Sequence, residues 1–242
     1  MALINQFFPL KVNINRQLKH PTNTPLTNFF FELQKKITGI FFDIGGVLLN
    51  IHPKRTIQHL NNCTGISKEI IKTAFSNEIH NKYEKGEINN QEYFQSIKRA
   101  LPKTDSLCEP DFWEAWGMLL GEETSVSPVL QSCSKHIPIW LLSNTNPYHI
   151  ELGAKRFSFL SLVTGAVFSY DVGYRKPDKD IFRIALNLAE KTPGEVLFID
   201  DDLKNVKQAR KIGLNSHHFI STESLKQKMI ELGLSFLKDD ST

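Results

Sequence analysis

The sequence predicts an α/β protein with a doubly wound, mostly parallel sheet and an inserted helical segment. Short apolar runs alternate with stretches of helical periodicity through the second half of the chain, and several of these runs end directly in polar residues. A long helical stretch separates the first apolar run from the second. Strand–helix alternation of this kind is typical of a parallel sheet with helices on both faces. A chain of 242 residues can bury the core that this fold requires.

The first predicted strand begins at Gly39 and ends abruptly at Asp43. Gly45 and Gly46 follow almost at once, so the backbone can approach a ligand closely at this point. In an open α/β sheet, ligands bind at the carboxyl ends of the strands. Asp43 is therefore a candidate nucleophile or metal ligand.

The segment from Pro53 to about Leu120 predicts one helix after another. Pro53 suits the first turn of a helix, and further helix starts follow at Ser67, Asn90 and Asp111. Apolar residues recur at helical spacing after these starts, and no alternating strand pattern interrupts them. We therefore predict a helical insertion of about 70 residues.

Apolar runs that predict strands return after the insertion, and helical periodicity separates the later ones. The predicted strands are 137–142, 162–168, 196–199 and 217–220, and the predicted helices between them are 180–189 and 203–212.

Three of the predicted strands end in polar residues suited to phosphate chemistry. Asp43 follows the first strand, Ser143 and Asn144 the second, and Asp200 and Asp201 the third. Because the carboxyl ends of parallel strands meet at one edge of a sheet, we expect these side chains to lie close together. Carboxylates from two strand ends can hold a hard cation such as Mg²⁺ through oxygen ligands.

A fourth element, the turn at Lys176-Pro177, supplies a cation. Lys176 can neutralise charge that develops in a transition state. The side chains of Ser143 and Asn144 can donate to phosphate oxygens, while Asp43 can form an aspartyl-phosphate. Each element alone also suits an ordinary turn or helix start. Their order along the chain indicates a phosphoryl-transfer site.

These motifs resemble those of the haloacid dehalogenase-like (HAD) hydrolase family over residues 38–219. The resemblance implies a Rossmann-like core with a helical cap, and Mg²⁺-dependent hydrolysis of a small phosphorylated metabolite through an aspartyl-phosphate. The residues that it implies for the site are the nucleophile Asp43, the phosphate-binding Ser143 and Asn144, the orienting Lys176, and the metal-binding Asp43, Asp200, Asp201 and, through its backbone carbonyl, Gly45.

The resemblance also implies how the chain is divided. Residues 37–50 and 135–242 would form the catalytic core, and residues 51–134 would form the helical cap. The segment from Tyr83 to Phe94 is similar to a cap signature of one branch of the family, which includes a bacterial sugar-1-phosphate phosphatase.

Gly45 is a departure from the common family pattern, which places a second Asp there. In the family this Asp is the general acid for the leaving alkoxide and then the base for the attacking water. Positioned acid–base catalysis contributes about 100- to 10,000-fold. We therefore expect substrates whose leaving group departs readily without a proton donor, with a sugar 1-phosphate first among them. His80 and Glu84, in the predicted cap, are candidates to replace the missing acid.

Two other functions remain open. Dehalogenation of a 2-haloacid uses the same Asp nucleophile but needs no metal ligands, so Asp200 and Asp201 argue against it. The second alternative is a catalytically weak or silent protein that binds a phosphorylated ligand or a protein partner. This function would account for the absence of an acidic side chain at Gly45. The retention of Asp43 and Lys176 argues against that alternative.

The composition argues against several classes of partner and binding site. The net charge is +3 with no dense Lys/Arg block, so we expect no nucleic acid partner. No apolar run reaches the roughly 18 residues of a membrane span, so we expect no membrane partner. Cys63, Cys108 and Cys133 are odd in number and form no close pair, which argues against a disulfide scaffold or a zinc site and fits a cytoplasmic protein.

Residues 1–36 stand apart from the rest of the chain. The first 31 residues contain no acidic side chain. We predict a loosely ordered extension ahead of the domain, with organelle targeting as the alternative.

Overall fold

The computed structural model describes residues 36–75, 77–102 and 104–234, so that nearly all of the predicted extension 1–36 lies outside the described residues. The strands are β1 (Gly39–Phe42), β2 (Leu49–Ile51), β3 (Leu120–Glu123), β4 (Ile139–Ser143), β5 (Gly165–Phe168), β6 (Val196–Asp200) and β7 (Asn215–His218). The helices are α1 (Pro53–Thr64), α2 (Lys68–Ala74), α3 (Asn77–Glu84), α4 (Asn90–Ala100), α5 (Glu109–Gly117), α6 (Ser127–Ser134), α7 (Pro147–Ala154), α8 (Ser169–Val172), α9 (Lys179–Leu188), α10 (Leu203–Lys211) and α11 (Thr222–Glu231).

A five-stranded parallel sheet in the order β5-β4-β1-β6-β7 confirms the predicted α/β class. β1 lies at its centre, with Phe41 paired to Trp140 of β4 on one side and to Phe198 of β6 on the other. All residues of these three strands are buried, which explains their near-continuous apolar sequence. The order of the strands places the residue after β1 between the ends of β4 and β6.

The bounds of four strands differ from the predicted ranges: β4 is Ile139–Ser143 rather than 137–142, and β6 extends one residue further than predicted, to Asp200. The strand predicted at 162–168 begins at Gly165, and three residues separate it from a 3₁₀ turn formed by residues 158–161. The last strand is Asn215–His218 rather than 217–220, and it leaves Ile220 outside the sheet with 77% of its surface exposed.

The helices α1–α5 form a second hydrophobic cluster, built largely from aromatic residues. The rings of Tyr83 and Tyr93 stack with centroids 4.0 Å apart, and Trp116 stacks on Phe75 at 5.5 Å. β2 and β3 pair as an antiparallel ribbon that leads the chain into and out of this cluster. The sequence did not predict the ribbon, because strands of three and four residues are too short to show an alternating pattern.

The proposed cap of residues 51–134 extends beyond this helical cluster. Helix α6 is packed in the hydrophobic cluster of the sheet through Val129, Leu130 and Cys133. We therefore propose residues 53–117 as the cap, with the ribbon as its hinge. No disulfide joins the three cysteines, and no helix in the described part of the chain is long and apolar enough to cross a membrane.

Candidate active site

Asp43 lies at the centre of the carboxyl edge of the sheet, where β1 ends. Its backbone N–H continues the sheet by donating to the carbonyl of Ile199 at 2.9 Å. Its carboxylate Oδ1 accepts from the N–H of Ile44 at 2.7 Å, and the residue is only 9% exposed. The end of the strand therefore fixes both the position and the orientation of this carboxylate.

Lys176 joins the ends of β1 and β6. Its Nζ lies 2.9 Å from Asp43 Oδ1 and 2.6 Å from Asp200 Oδ2. The side chains of Lys176 and Asp200 are 1% and 0% exposed. Because an unpaired charge at this depth would be strongly destabilising, these three groups form one unit in which each charge depends on the others.

Burial and neighbouring charges set the pKa values of Asp43 and Lys176. Burial raises the pKa of Asp43, Lys176 acts in the opposite direction and the negative charge of Asp200 adds to the rise, so that the pKa lies at about 7. Burial also acts to lower the pKa of Lys176, but the attraction of Asp43 and Asp200 outweighs it and raises that pKa. Lys176 is therefore a permanent cation at neutral pH, and Asp43 needs positive charge nearby to remain ionised.

Both carboxylate oxygens of Asp200 accept hydrogen bonds from neighbouring donors, whereas Asp201 is exposed. Asn205 Nδ2 lies 3.0 and 3.1 Å from the two oxygens of Asp200, and the N–H of Asp202 donates to Oδ1 at 2.8 Å. The sequence did not predict Asn205 as a site residue. Its position in the first turn of α10 directs the side chain back to the carboxylate that ends β6.

Three carboxylates at this edge are placed to hold a metal ion. One oxygen from each of Asp43, Asp200 and Asp201 lies within 4.8 Å of the others. Three close carboxylate oxygens suit a hard cation such as Mg²⁺. A cation here would add positive charge beside Asp43 and the exposed Asp201.

The two glycines after Asp43 meet different surroundings. Gly46 has φ +76°, and a Cβ there would overlap Asp201 Oδ2, so this position requires glycine. A Cβ on Gly45 would meet only the side chain of Ile51, at 3.3 and 3.4 Å. Crowding therefore does not forbid an acidic side chain at Gly45.

The side-chain amide of Asn144 contacts the backbone of Lys176, while its predicted role in binding phosphate stays a prediction. Its Oδ1 accepts from the N–H of Lys176 at 2.8 Å, and its Nδ2 donates to the carbonyl of Lys176 at 2.9 Å. The amide predicted to bind phosphate is thus used to hold the backbone of the lysine. Ser143 is buried at the end of β4, and its hydroxyl makes only a long contact of 3.5 Å to the carbonyl of Asn144. That contact is weak, which leaves the hydroxyl available to a ligand.

An ion pair connects the helical cluster to the loop that carries Lys176. Arg175 Nη2 lies 2.6 Å from Glu84 Oε2, and Arg175 also donates to Asn81 Oδ1. The other oxygen of Glu84 lies 3.1 Å from His80 Nε2. The sequence missed this pair, because single charged residues in two distant segments carry no periodic signal.

This ion pair argues against Glu84 as the replacement acid. Burial acts to raise the pKa of Glu84, but His80 and Arg175 outweigh it and lower that pKa. Glu84 is therefore ionised at neutral pH and has no proton to donate. His80 is also occupied, since its Nδ1 lies 3.2 Å from the hydroxyl of Tyr93.

We expect Glu84→Gln to destabilise the protein by about 3 kcal/mol, since it leaves Arg175 and its partners without a counter-charge. Because the pKa of Glu84 is lowered by folding, its stabilising contribution is present above the unfolded pKa and is lost as the pH falls through the folded value. The variant should therefore lose part of the wild type's acid sensitivity below about pH 4.5. Urea unfolding at pH 7 and pH 4 measures both effects.

Lys82→Gln is the matched control, because it breaks an exposed ion pair on the same helix, between Lys82 and Glu78 at 2.8 Å. We expect little or no change in stability, because a solvent-exposed ion pair contributes little. Equal losses in the two variants would contradict a special role for the Glu84–Arg175 contact.

Comparison with known families gives one match across most of the chain. The model of the haloacid dehalogenase-like hydrolase family matches residues 37–213. This range begins just before β1 and ends just after α10, so it contains every residue of the site described above.

Several curated proteins are similar to the chain. Over 216 residues it is 23% identical to the drimenol cyclase of Aspergillus calidoustus, with 85% of the chain but only 40% of the cyclase covered. It is 24% identical to the sesquiterpene phosphatase of Aspergillus oryzae, with 76% of the chain and 89% of the relative covered. The D-ribitol-5-phosphate phosphatase of Bacteroides thetaiotaomicron is 22% identical, with 74% and 90% covered. The chain thus spans less than half of the cyclase but nearly the whole of the two phosphatases.

Solved structures share the fold. A HAD family enzyme from Bacteroides thetaiotaomicron, solved in complex with magnesium and inorganic phosphate, superposes with a TM-score of 0.69 at 25% identity. The superposition covers 77% of this chain and 96% of that one.

Proposed function

The chain belongs to the haloacid dehalogenase-like hydrolase family, and from this premise we propose that it is a Mg²⁺-dependent phosphomonoesterase that acts on a small phosphorylated metabolite. The observation that carries the proposal is the buried unit of Asp43, Lys176 and Asp200, with Lys176 Nζ 2.9 Å from the proposed nucleophile. The names of two similar proteins, a sesquiterpene phosphatase and a ribitol-5-phosphate phosphatase, support the same reaction.

The residues at the edge of the sheet fit a magnesium ion. Asp43, Asp201 and the carbonyl of Gly45 would hold it, with Asp200 in support, and the related enzyme solved with magnesium and phosphate agrees with this choice of metal. When bound, the ion supplies positive charge to the phosphate and to Asp43.

Asp43 would attack the phosphorus atom of the substrate. The donors on Oδ1 hold the carboxylate in one orientation, which leaves Oδ2 as the attacking atom. The bond from phosphorus to the leaving alcohol breaks as the aspartyl-phosphate forms, and Lys176 neutralises charge on the transferring group. Water then attacks the phosphorus atom, which releases inorganic phosphate and frees Asp43.

Departure of the leaving alcohol is the step for which this site provides the least catalysis. Gly45 has no side chain to protonate the departing alkoxide, and Glu84 is ionised in its pair with Arg175. Solvent must therefore supply the proton. Esters of acidic alcohols and anomeric esters such as a sugar 1-phosphate depend least on this proton, so we propose them as the better substrates.

A panel of hexose 1-phosphates and hexose 6-phosphates tests this proposal. We expect kcat/KM to be about tenfold or more higher for the 1-phosphates, because their leaving group needs less of the acid catalysis that Gly45 lacks. Activity should disappear with EDTA and return with Mg²⁺. A preference for the 6-phosphates would overturn the leaving-group proposal, and full activity in EDTA would overturn the metal.

One competing function is favoured by Gly45 itself, namely a silent protein that binds a phosphorylated ligand. The burial of Lys176 between two carboxylates argues against it, since burying three charges is costly. Phosphate binding without turnover of any ester would support the silent protein. Halide release from a 2-haloacid would instead support a dehalogenase.

A further inference from the structure

A cavity of about 650 Å³ lies in the helical cluster, between α1, α2 and Met118, which follows α5. We call it the basic cavity, because four cationic side chains line it, namely Lys54, Arg55, Lys68 and Lys72. None of the residues placed in the candidate active site lines it. We propose that the basic cavity binds a small organic anion that carries two or more negative charges.

The positive charges of the basic cavity have no counter-charge within it. No Asp or Glu of the described residues lines the cavity. None of the four cations belongs to an ion pair in the part of the chain that the structure describes. Lys68 and Lys72 lie one turn apart on α2, a spacing at which like charges destabilise a helix. An anion in the cavity would replace this repulsion by attraction.

Glu122 lies close enough to Arg55 for their charges to interact, but it does not fill this role. Its Oε1 accepts from Asn50 Nδ2 at 3.1 Å, and its Oε2 lies 3.3 Å from His52 Nε2. Both carboxylate oxygens therefore have partners outside the cavity. A single carboxylate would in any case leave most of the positive charge uncompensated.

The start of α1 is unfavourable for the helix itself and favourable for an anion. Lys54 and Arg55 lie in the first turn, which contains no acidic residue, and His52 gives no side-chain cap. The positive end of the helix dipole favours negative charge at this point, so two cations here oppose it. The free N–H groups of the same turn are donors for an anion. Local arrangements that work against helix stability are expected at functional sites.

His59 provides an independent indication of a ligand. It lines the basic cavity one helical turn after Arg55. Its Nε2 atom is buried and has no hydrogen-bond partner among the described residues. Buried polar atoms without a partner are rare and costly. An anionic oxygen in the cavity would accept a hydrogen bond from this nitrogen.

The remaining lining indicates what kind of anion the basic cavity would bind. Ile57 and Met118 contribute apolar surface, and Gln58 and Asn62 contribute amides. The volume of about 650 Å³ is within the range of small-molecule sites. The cavity therefore suits a compact carbon skeleton with several anionic groups, and not a protein segment or a nucleic acid.

The experiment titrates the full chain by calorimetry with benzoate, benzene-1,3-dicarboxylate and benzene-1,3,5-tricarboxylate, in buffer without Mg²⁺. The three probes share one ring and differ in the number of charges, and none contains a phosphate to hydrolyse. Without Mg²⁺ the carboxylates of Asp43, Asp200 and Asp201 repel anions, so the candidate active site does not compete. We expect the tricarboxylate to bind about tenfold more tightly than benzoate, and added salt to reduce this difference.

The double variant Lys68→Gln and Lys72→Gln should weaken binding of the tricarboxylate about tenfold and change binding of benzoate little. Lys207→Gln with Lys211→Gln is the matched control. These two lysines are also exposed, lie one turn apart on α10 and line no part of the cavity. The control changes the net charge by the same amount and should bind the tricarboxylate as the wild type does.

Equal losses in the two double variants would show a response to net charge alone and would overturn the basic cavity as a site. Equal affinity for the three probes, or no binding of the tricarboxylate, would overturn it as well. None of these results bears on the proposed phosphatase, because hydrolysis of phenyl phosphate with Mg²⁺ is measured separately.

Discussion

Asp43→Asn should abolish phosphate release, with kcat/KM lower by about four orders of magnitude or more. An amide cannot attack phosphorus, and no other group at the site is placed to replace the carboxylate that Lys176 orients at 2.9 Å. Release of phosphate from p-nitrophenyl phosphate measures the loss. Mass spectrometry of the wild type quenched in acid should detect the aspartyl-phosphate, and the variant should not form it.

The same variant should not be less stable than the wild type near neutral pH. The folded pKa of Asp43 is about 7, above its ordinary value of 3.8. Folding therefore favours the protonated form, and stability from this group is lost as the pH rises from about 4 to about 7. Asn removes that loss, and Lys176 keeps Asp200 as a partner at 2.6 Å. Melting temperatures at pH 5 and pH 7.5 separate this effect from catalysis.

Asp202→Asn is the control for Asp43→Asn. Asp202 is exposed and caps α10 by accepting from the N–H of Lys204 at 2.8 Å, a role that Asn fills equally well. Activity within about threefold of the wild type is expected, since no proton or phosphate contact changes. Activity above 1% of the wild type in Asp43→Asn would show that Asp43 is not the nucleophile.

The centre of the site could be predicted from sequence because buried parallel strands have a clear pattern. Asp43, Ser143 and Asp200 each end an apolar run, and the parallel sheet then places these three ends side by side. The five strands of the parallel sheet were predicted in this way, although the bounds of four of them differ by one to three residues and the short strands β2 and β3 were missed.

The partners of these residues could not be predicted in the same way. The ion pair of Glu84 with Arg175 depends on how the helical cluster lies against the core. The two hydrogen bonds of Asn144 to Lys176 depend on how two loops meet. Such contacts are set by tertiary packing, and neither charge nor polarity in the sequence indicates which of several acceptors a side chain will choose.

Gly45→Asp should restore acid catalysis for the esters whose leaving group most needs a proton. A Cβ at this position meets only Ile51, at 3.3 and 3.4 Å, and a small movement of that side chain makes room. For esters with a poor leaving group, such as a hexose 6-phosphate, we expect kcat to rise about 100-fold, the lower end of what a positioned acid contributes. Aryl phosphates should change only a few-fold, because phenolate leaves without a proton.

Gly46→Ala distinguishes this gain from a general effect of substitution beside the nucleophile. Its φ of +76° and the overlap of its Cβ with Asp201 Oδ2 mean that this change must displace a proposed metal ligand. We expect it to lower the rate for every ester and to raise the Mg²⁺ concentration needed for half-maximal activity. If Gly45→Asp changes aryl and alkyl esters by the same factor, the missing acid is not what limits this chain.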